Sequence, residues 1–441
     1  MWFALLLTLA GVVDDNDRAG VRLSARVGGG VIAHDVVGLV DVGIGYESAP
    51  FGLHLRAPLT LRLVDNTPLV PSSSPSWCQV VRCEELLNGQ LLDPTAVARL
   101  IDEVRFFQAG DSVHARAGQL VATVGAGAVV DRLTTLASWD RRTSGVWGAL
   151  TLPWLQAEAL AANAVAPLEL LAARVDLAVL PVVFGAEVGA DGTAPVDVVD
   201  SNGELPAGGA SRPVVVGAID ARLPVQLGAV LFTPRLEFGG SSGLAVDGVV
   251  GGVGGGVAGG ADLAVNVGFV ALQARGVVGI NGGGHRRGLF STFHLVERRR
   301  ALLGSVVDGG GYVHVPAPAG TSVDVRVQAS ILDAVAPLLR LHLEPAPGAN
   351  AIEAGVVVDF DVVQVSGSVI RRGFVDVAGV FDGNVEARPV LLVCEAGWRF
   401  WGPLSASLRW FRLPRFEAGG ALVVDNDVLI SLSVNGVLTP R

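Results

Sequence analysis

The chain has 441 residues, of which 50% are hydrophobic and only 17% charged, with 58 Gly, 23 Pro and a net charge of −10. An average soluble domain carries about 25% charged residues and roughly 7% Gly, so this chain is unusually apolar and glycine-rich. All 32 basic residues are arginine, which excludes a Walker A lysine, a Schiff-base lysine and a Ser-Lys dyad. The acidic balance argues against a nucleic-acid partner.

No run reaches the roughly 18–20 uninterrupted apolar residues of a spanning helix. Two classes remain: a very apolar soluble β-protein, or a membrane protein that crosses the bilayer as strands. Residues 1–13 contain a short apolar run, Trp2 to Val13, followed by Asp14, Asp15, Asn16 and Asp17. The run has the length of a signal-peptide apolar segment, with Thr8-Leu9-Ala10 as a small-x-small cleavage site. Residues 14–441 then form a single barrel domain.

Period-two alternation is the main signal along the chain. Val21, Leu23, Ala25 and Val27 interleave with Arg22, Ser24 and Arg26; Leu53, Leu55 and Ala57 with His54 and Arg56; and Leu59, Leu61 and Leu63 with Thr60 and Arg62. Residues 64–104 interrupt the pattern as an insertion that could plug a barrel or stand outside it. Within it, Asp93-Pro94 reads as N-cap and first helical position, and Val97, Leu100, Ile101 and Val104 follow at helical spacing, predicting one short helix over 94–104. Cys78 and Cys83 lie close together in a loop-like stretch, where a disulfide would suit an oxidising compartment. Cys394 reads as a small buried apolar residue.

Further on, a strand is predicted from about Leu168 to Val182, after Pro167. Gly240 to Gly260 reads as a small-residue strand pair or as a loop folded into the lumen. Val323, Val325 and Val327 interleave with Asp324, Arg326 and Gln328; Leu341 and Leu343 with His342 and Glu344; Val358, Phe360 and Val362 with Asp359 and Asp361; and Ile430, Leu432 and Val434 with serines and Asn435. Turns are expected at Gly28–Gly30, Asp65-Asn66, Asp191-Gly192, Ser201–Gly203, Asn281-Gly282, Asp308-Gly309, Asp382–Asn384 and Asp425–Asp427.

Alternation puts one face of each strand against something apolar and the other against water. A closed sheet satisfies every backbone N–H and C=O without an edge, and its outer face can be wholly apolar. The sequence therefore predicts an all-β fold: a closed antiparallel transmembrane β-barrel of roughly 16–20 strands, even in number. Arg22, Arg26, His54, Arg56, Arg62, His114, Arg116, Asp131, Arg132, Asp324, Arg326, His342, Asp359 and Asp361 fall on the polar phase as candidate lumen or ion-pair residues. Trp139, Trp147, Trp154, Trp398, Trp401 and Trp410 fall near expected strand ends, as interfacial aromatics do.

The stretch Leu100 to Leu152 joins a helical pattern, an Arg-Phe-Phe strand and a Gly-x-Gly hairpin leading to Val130-Asp131-Arg132. It resembles a segment of uncharacterised porin-like outer-membrane β-barrel proteins of Gram-negative bacteria. The resemblance implies architecture and an outer-membrane location, and no reaction. Barrels of that kind commonly close on an aromatic-ended strand, whereas this sequence ends Leu438-Thr439-Pro440-Arg441.

The expected function is a passive pore or membrane scaffold with an Arg/Asp-lined lumen, no catalysis and no cofactor, in contact with outer-membrane lipid and small solutes. Two alternatives stand beside it. One is a soluble extracellular β-sandwich of adhesin type. The other is a membrane-embedded hydrolase built on His285, Ser291, His294 and Glu297; against it, no Gly-x-Ser-x-Gly elbow is present, and a basic run is ordinarily a solvated loop. The acidic tracts lack the spacing of a calcium loop.

Overall fold

A computed structural model describes residues 20–32, 35–48, 51–64, 101–107, 112–125, 127–130, 133–134, 143–196, 210–246, 249–287, 289–290, 318–345, 350–360, 362–374, 390–401, 403–416 and 422–438. In chain order the strands are β1 (Gly20–Ile32), β2 (Asp35–Ser48), β3 (Phe51–Val64), β4 (Ile101–Phe107), β5 (Val113–Gly118), β6 (Val121–Ala122), β7 (Leu133–Thr134), β8 (Gly145–Thr151), β9 (Leu155–Ala161), β10 (Leu171–Val179), β11 (Val182–Pro195) and β12 (Ser211–Arg222). They continue as β13 (Val225–Leu227), β14 (Val230–Val246), β15 (Val249–Val267), β16 (Val270–Asn281), β17 (Gly320–Ile331), β18 (Val335–Leu343), β19 (Ala351–Asp359), β20 (Val363–Arg372), β21 (Val390–Trp401), β22 (Leu404–Phe416) and β23 (Leu422–Leu438).

Each barrel strand pairs antiparallel with the next barrel strand in the chain, β5 with β8, and β1 pairs with β23 from Val21↔Leu438 to Val31↔Val428, so the sheet closes. The short β13 pairs with β14 in line with β12, making a closed barrel of 20 strands. β6 and β7 form a separate two-stranded ladder. Twenty strands spaced about 4.8 Å apart and tilted about 40° enclose a cylinder ~40 Å across, wider than side chains alone can fill.

The two ends differ. At one end the connections are short: 49–50, 152–154, 180–181, 268–269, 332–334, 360–362 and 402–403, and β1 starts and β23 finishes there. At the other end lie the long connections 65–100, 119–144, 196–210, 282–319 and 373–389. Short turns at one rim and long loops at the other are the usual asymmetry of outer-membrane barrels.

Alternation sorts the faces as the sequence predicts. On β2, Asp35, Val37, Leu39 and Asp41 are buried while Val36, Val40, Val42 and Ile44 are exposed. On β10, Ala172, Arg174 and Asp176 turn inward and Val175 and Leu177 outward. Ile219, Ile280 and Ile430 are 59%, 66% and 60% exposed. Burying a side chain of that kind is worth roughly 1.5–3 kcal/mol, so dozens left bare in water would far exceed the stability of a domain. Hydrocarbon is the environment that suits this surface. Its rows of outward Val, Leu and Ile are not stacked on a second sheet, which rules out the sandwich reading.

Several expectations are corrected. Ile101–Val104, predicted as the end of a helix, belong to β4, because their register against Leu53 and Leu55 supplies backbone partners that a helix would forgo. Gly28–Gly30, Asp191-Gly192 and Asp425–Asp427 sit inside β1, β11 and β23 instead of at turns. Asp191 and Ala194 flank a register shift, the local irregularity that Asp and Gly tolerate. The real β17–β18 turn carries Leu332 and Asp333, both left-handed with φ 54° and 55°, a type I′ geometry built without the usual Asn-Gly. Cys394 is half-buried on the outward face of β21, opposite Trp410, and is not a core residue. The predicted strand near 168–182 is β10, preceded by a one-turn 3-10 helix at Pro167–Glu169. The leader at 1–13, the helix residues 94–100, Cys78 and Cys83 lie outside the described residues.

Candidate functional site

The interior has two zones. On the wall around β12, inward positions carry charge toward the short-turn end and turn apolar toward the long-loop end, whereas Asp35–Arg62 and Asp324–His342 carry charge toward the long-loop end of other strands. On β12, for example, Val214, Val216 and Ala218 give way to Asp220 and Arg222 along one face.

Most of the charged residues described in the interior are paired. On one wall Arg22 and Arg105 meet Glu47, Arg56 lies 2.5 Å from Asp41, Arg62 lies 2.8 Å from Asp35, and Arg409 lies 2.8 Å from Glu395. Arg26 is in register with Asp41 but shares it with Arg56, and its Nε has no hydrogen-bond partner. On the other wall Arg174 NH2 lies 2.6 Å from Asp176 and 2.7 Å from Asp220, and Arg222 reaches the same two carboxylates at 2.5 and 2.9 Å. Arg340 holds Asp324 at 2.6 Å, and the His342 ring lies between Asp324 and Glu344 at 3.3 and 3.0 Å. Cross-strand register explains these matches: Arg409–Glu395 and His342–Asp324 are directly opposed, and the others are diagonal neighbours, lie two apart on one strand, or reach across a glycine on the same face.

Two connections fold inward against this wall. The first is 119–134. The Glu187 carboxylate on β11 accepts the backbone N–H groups of Val129 and Val130 at 3.0 and 3.1 Å, while its second oxygen faces Arg174 NH1 at 3.3 Å. Glu158 on β9 accepts the Gly125 N–H at 3.1 Å. Leu120, Val124, Ala128, Val129, Val130 and Leu133 pack against the inward Leu160, Ala172, Val214, Val216 and Leu244, forming an apolar core inside the barrel and off its axis.

The second in-folded piece is 282–290. Phe290 joins Val130 in a parallel bridge and enters the same core. Arg287 binds Glu237 at 2.8 Å and lies 3.6 Å from Asp324, tying β14 to β17 through the lumen. His285 Nδ1 lies 3.2 Å from Ser241 Oγ, whose hydroxyl also lies 2.6 Å from the Gly284 carbonyl. Burial, above the smaller pull of Glu344 and Glu237, holds the His285 pKa below its ordinary value.

The glycine-rich stretch now has a reason. A Cβ on Gly254 would land on the Gly283 carbonyl, and one on Gly256 would come within 2.9 Å of the His285 ring. β15 is stripped of inward side chains where 282–287 lies on it. Gly240–Gly260 thus forms barrel wall as the β14–β15 pair, and among the described residues 119–125, 127–130, 282–287 and 289–290 fold inward.

Of the predicted site residues, Arg22, Arg26, His54, Arg56, Arg62, His114, Arg116, Asp324, Arg326 and His342 occupy inward positions of their strands. Asp324 and His342 are brought together; Arg326, two residues further along β17 and in register with Arg340 and Arg275, lines a cavity with Asp262 and Arg275. Asp359 is exposed near the short-turn rim, where Gln364 donates to it at 2.8 Å. Asp131, Arg132 and Asp361 lie outside the described residues. The sequence reading missed Arg174, Asp176, Glu187, Asp220, Glu237 and Arg287. All but Arg287 carry the period-two signal of their strands; Arg287 reaches the interior only because its loop folds in.

Of the residues of the hydrolase reading, only His285 is described. Ser241 Oγ donates to the Gly284 carbonyl, and His285 Nδ1 lies 3.2 Å from the same oxygen, so this pair ties 282–287 to β14. Ser291, His294 and Glu297 lie outside the described residues, and among the described residues no group of His, Cys, Asp and Glu could hold a metal ion.

No protein-family model and no curated protein matches the chain. Among solved structures it is similar to the outer-membrane protein OpdK of Pseudomonas aeruginosa, with 11% identity and a TM-score of 0.34 over 95% of this chain and 99% of that one. It is also similar to OccK2 (OpdF) of the same organism, solved in complex with glucuronate, with 11% identity and a TM-score of 0.35 over 97% and 100% of the two chains. The siderophore receptor PirA of Acinetobacter baumannii gives 9% identity and a TM-score of 0.36 over 96% of this chain and 81% of that one.

Proposed function

We propose that this protein is a non-catalytic outer-membrane pore, passing small hydrophilic solutes through a lumen narrowed by 119–134 and 282–290. The observation that carries this reading is the opposition of the two barrel faces. Outward Val, Leu and Ile suit hydrocarbon, and inward Arg–carboxylate pairs require a hydrated or fully paired interior. Among the described residues the in-folded segments lie against one wall of the 20-strand cylinder, and the water path of this reading runs along the opposite wall, past Arg22, Arg26, Arg56 and Arg409. The paired belt would set selectivity through local charge and width. Outer-membrane lipid would be the surrounding partner.

Detergent-folded protein inserted into a planar bilayer tests the reading. Discrete conductance steps are expected, together with heat-modifiable gel mobility. A folded, membrane-inserted protein that passes no ions would overturn the pore and leave a scaffold.

A further inference from the structure

Beside the first in-folded segment the lumen wall carries a cavity of about 200 Å³, lined by Glu103 on β4, Arg116 on β5, Trp147 on β8, and Gln119, Leu120 and Thr123 of the in-folded stretch. That volume is the space of about seven waters, enough for a solute of small amino-acid size. The three wall residues sit on neighbouring strands, since Arg116 is opposite both Arg105 and Trp147, and Glu103 is opposite Gly118. An acid and a base thus lie diagonally across one strand pair, roughly 7–8 Å apart at the backbone and nearer at the side-chain tips.

The state of these groups sets this corner apart from the rest of the belt. The Arg116 guanidinium lies over the Trp147 ring, 5.7 Å from its centre. A contact with the ring does not consume the guanidinium N–H donors, and among the described residues no carboxylate pairs with it. Glu103 makes a single 3.4 Å contact with Arg105 and keeps 47% of its side chain exposed. A carboxylate has about four acceptor positions, so most of its capacity is unspent. Most of the other inward acids and bases described pair with one another; here each keeps capacity for a third party.

We propose that this cavity is a binding subsite for small zwitterions, with the solute carboxylate on Arg116 and its ammonium on Glu103. A lone anion would gain Arg116 but face Glu103, and a lone cation the reverse; a zwitterion meets both with opposite charge. Gln119 and Thr123 add neutral hydrogen-bonding groups, and the edge of Trp147 with Leu120 takes a short apolar side chain. The inference rests on the proposed pore, which would deliver the solute.

The test uses the full chain, folded in detergent, with L-alanine as probe and acetate and ethylammonium as single-charge controls. Calorimetry measures binding, and single-channel current measures conductance and block on the same preparations. L-Alanine should bind at least tenfold more tightly than either control and reduce the current in a saturable way. Glu103→Gln and Arg116→Gln should each weaken L-alanine binding about tenfold, with heat-modifiable mobility kept as the check on folding. Acetate binding as tightly as L-alanine, with Glu103→Gln without effect, would overturn the proposal in favour of a simple anion site. Conductance without any L-alanine binding would overturn the subsite and keep the pore. Binding of L-alanine by a protein that does not conduct would uphold the subsite and overturn the pore.

Discussion

Glu187 is the residue whose removal should change the channel most. Its carboxylate takes two successive backbone N–H groups of the first in-folded segment, at Val129 and Val130, and faces Arg174 with its other oxygen. Hydrogen bonds to a charged group contribute about 1.5–3 kcal/mol each. Taking about 2 kcal/mol for each, Glu187→Ala costs the clamp ~4 kcal/mol, about a thousandfold in the ratio of pinned to released segment. Arg174 keeps Asp176 and Asp220, so the barrel wall should survive. The segment also keeps its apolar packing and the Glu158–Gly125 contact, so release should be intermittent. Single-channel recordings of Glu187→Ala should therefore show flicker to a larger conductance, and limited proteolysis should cut within 119–134. Glu187→Gln, which keeps an oxygen acceptor without the charge, should give an intermediate result. Recordings and digestion patterns indistinguishable from the parent protein, at unchanged heat-modifiable mobility, would refute the clamp.

Gly256→Val should push 282–287 off β15, because the new side chain enters the space of the His285 ring; faster proteolysis there, with the barrel intact, is the readout. The same segment should loosen in acid. His285 has a depressed pKa in the folded state, so its contribution is complete above the unfolded value of about 6.5 and is lost as the pH falls below it. Protease sensitivity of 282–290 should rise between pH 7.5 and 5, and His285→Asn should flatten that dependence. Replacing Leu332 with Asn and Asp333 with Gly should stabilise the β17–β18 turn by about 1–2 kcal/mol, since both positions are left-handed. A lower resistance to heat in the double variant would contradict that account.

The alternation of Val21–Val27 with Arg22–Arg26, and of Leu53–Leu63 with His54–Arg62, determined by itself that the chain would make half-apolar strands and which side chains would share a face. Composition added that this apolar face was too extensive for water. Both are local properties: side chains alternate about an extended backbone whatever surrounds it. The same logic reached the inward placement of Asp324 and His342, because their phase is written next to them.

What only the tertiary structure decided is what depends on distant partners. Asp425–Asp427 and Gly28–Gly30 look like turns alone and become strand because the first lie opposite Phe411–Leu413 on β22 and the second opposite Leu429–Ser431 across the closing seam. Arg174 finds Asp220 only once β10, β11 and β12 are in register. Gly254 and Gly256 look like low complexity until the 282–287 segment lies on them. Strand count, ion-pair partners and the segments that narrow the lumen all follow from closure of the sheet. Closure links residues hundreds of positions apart through hydrogen bonds that no short window of sequence contains.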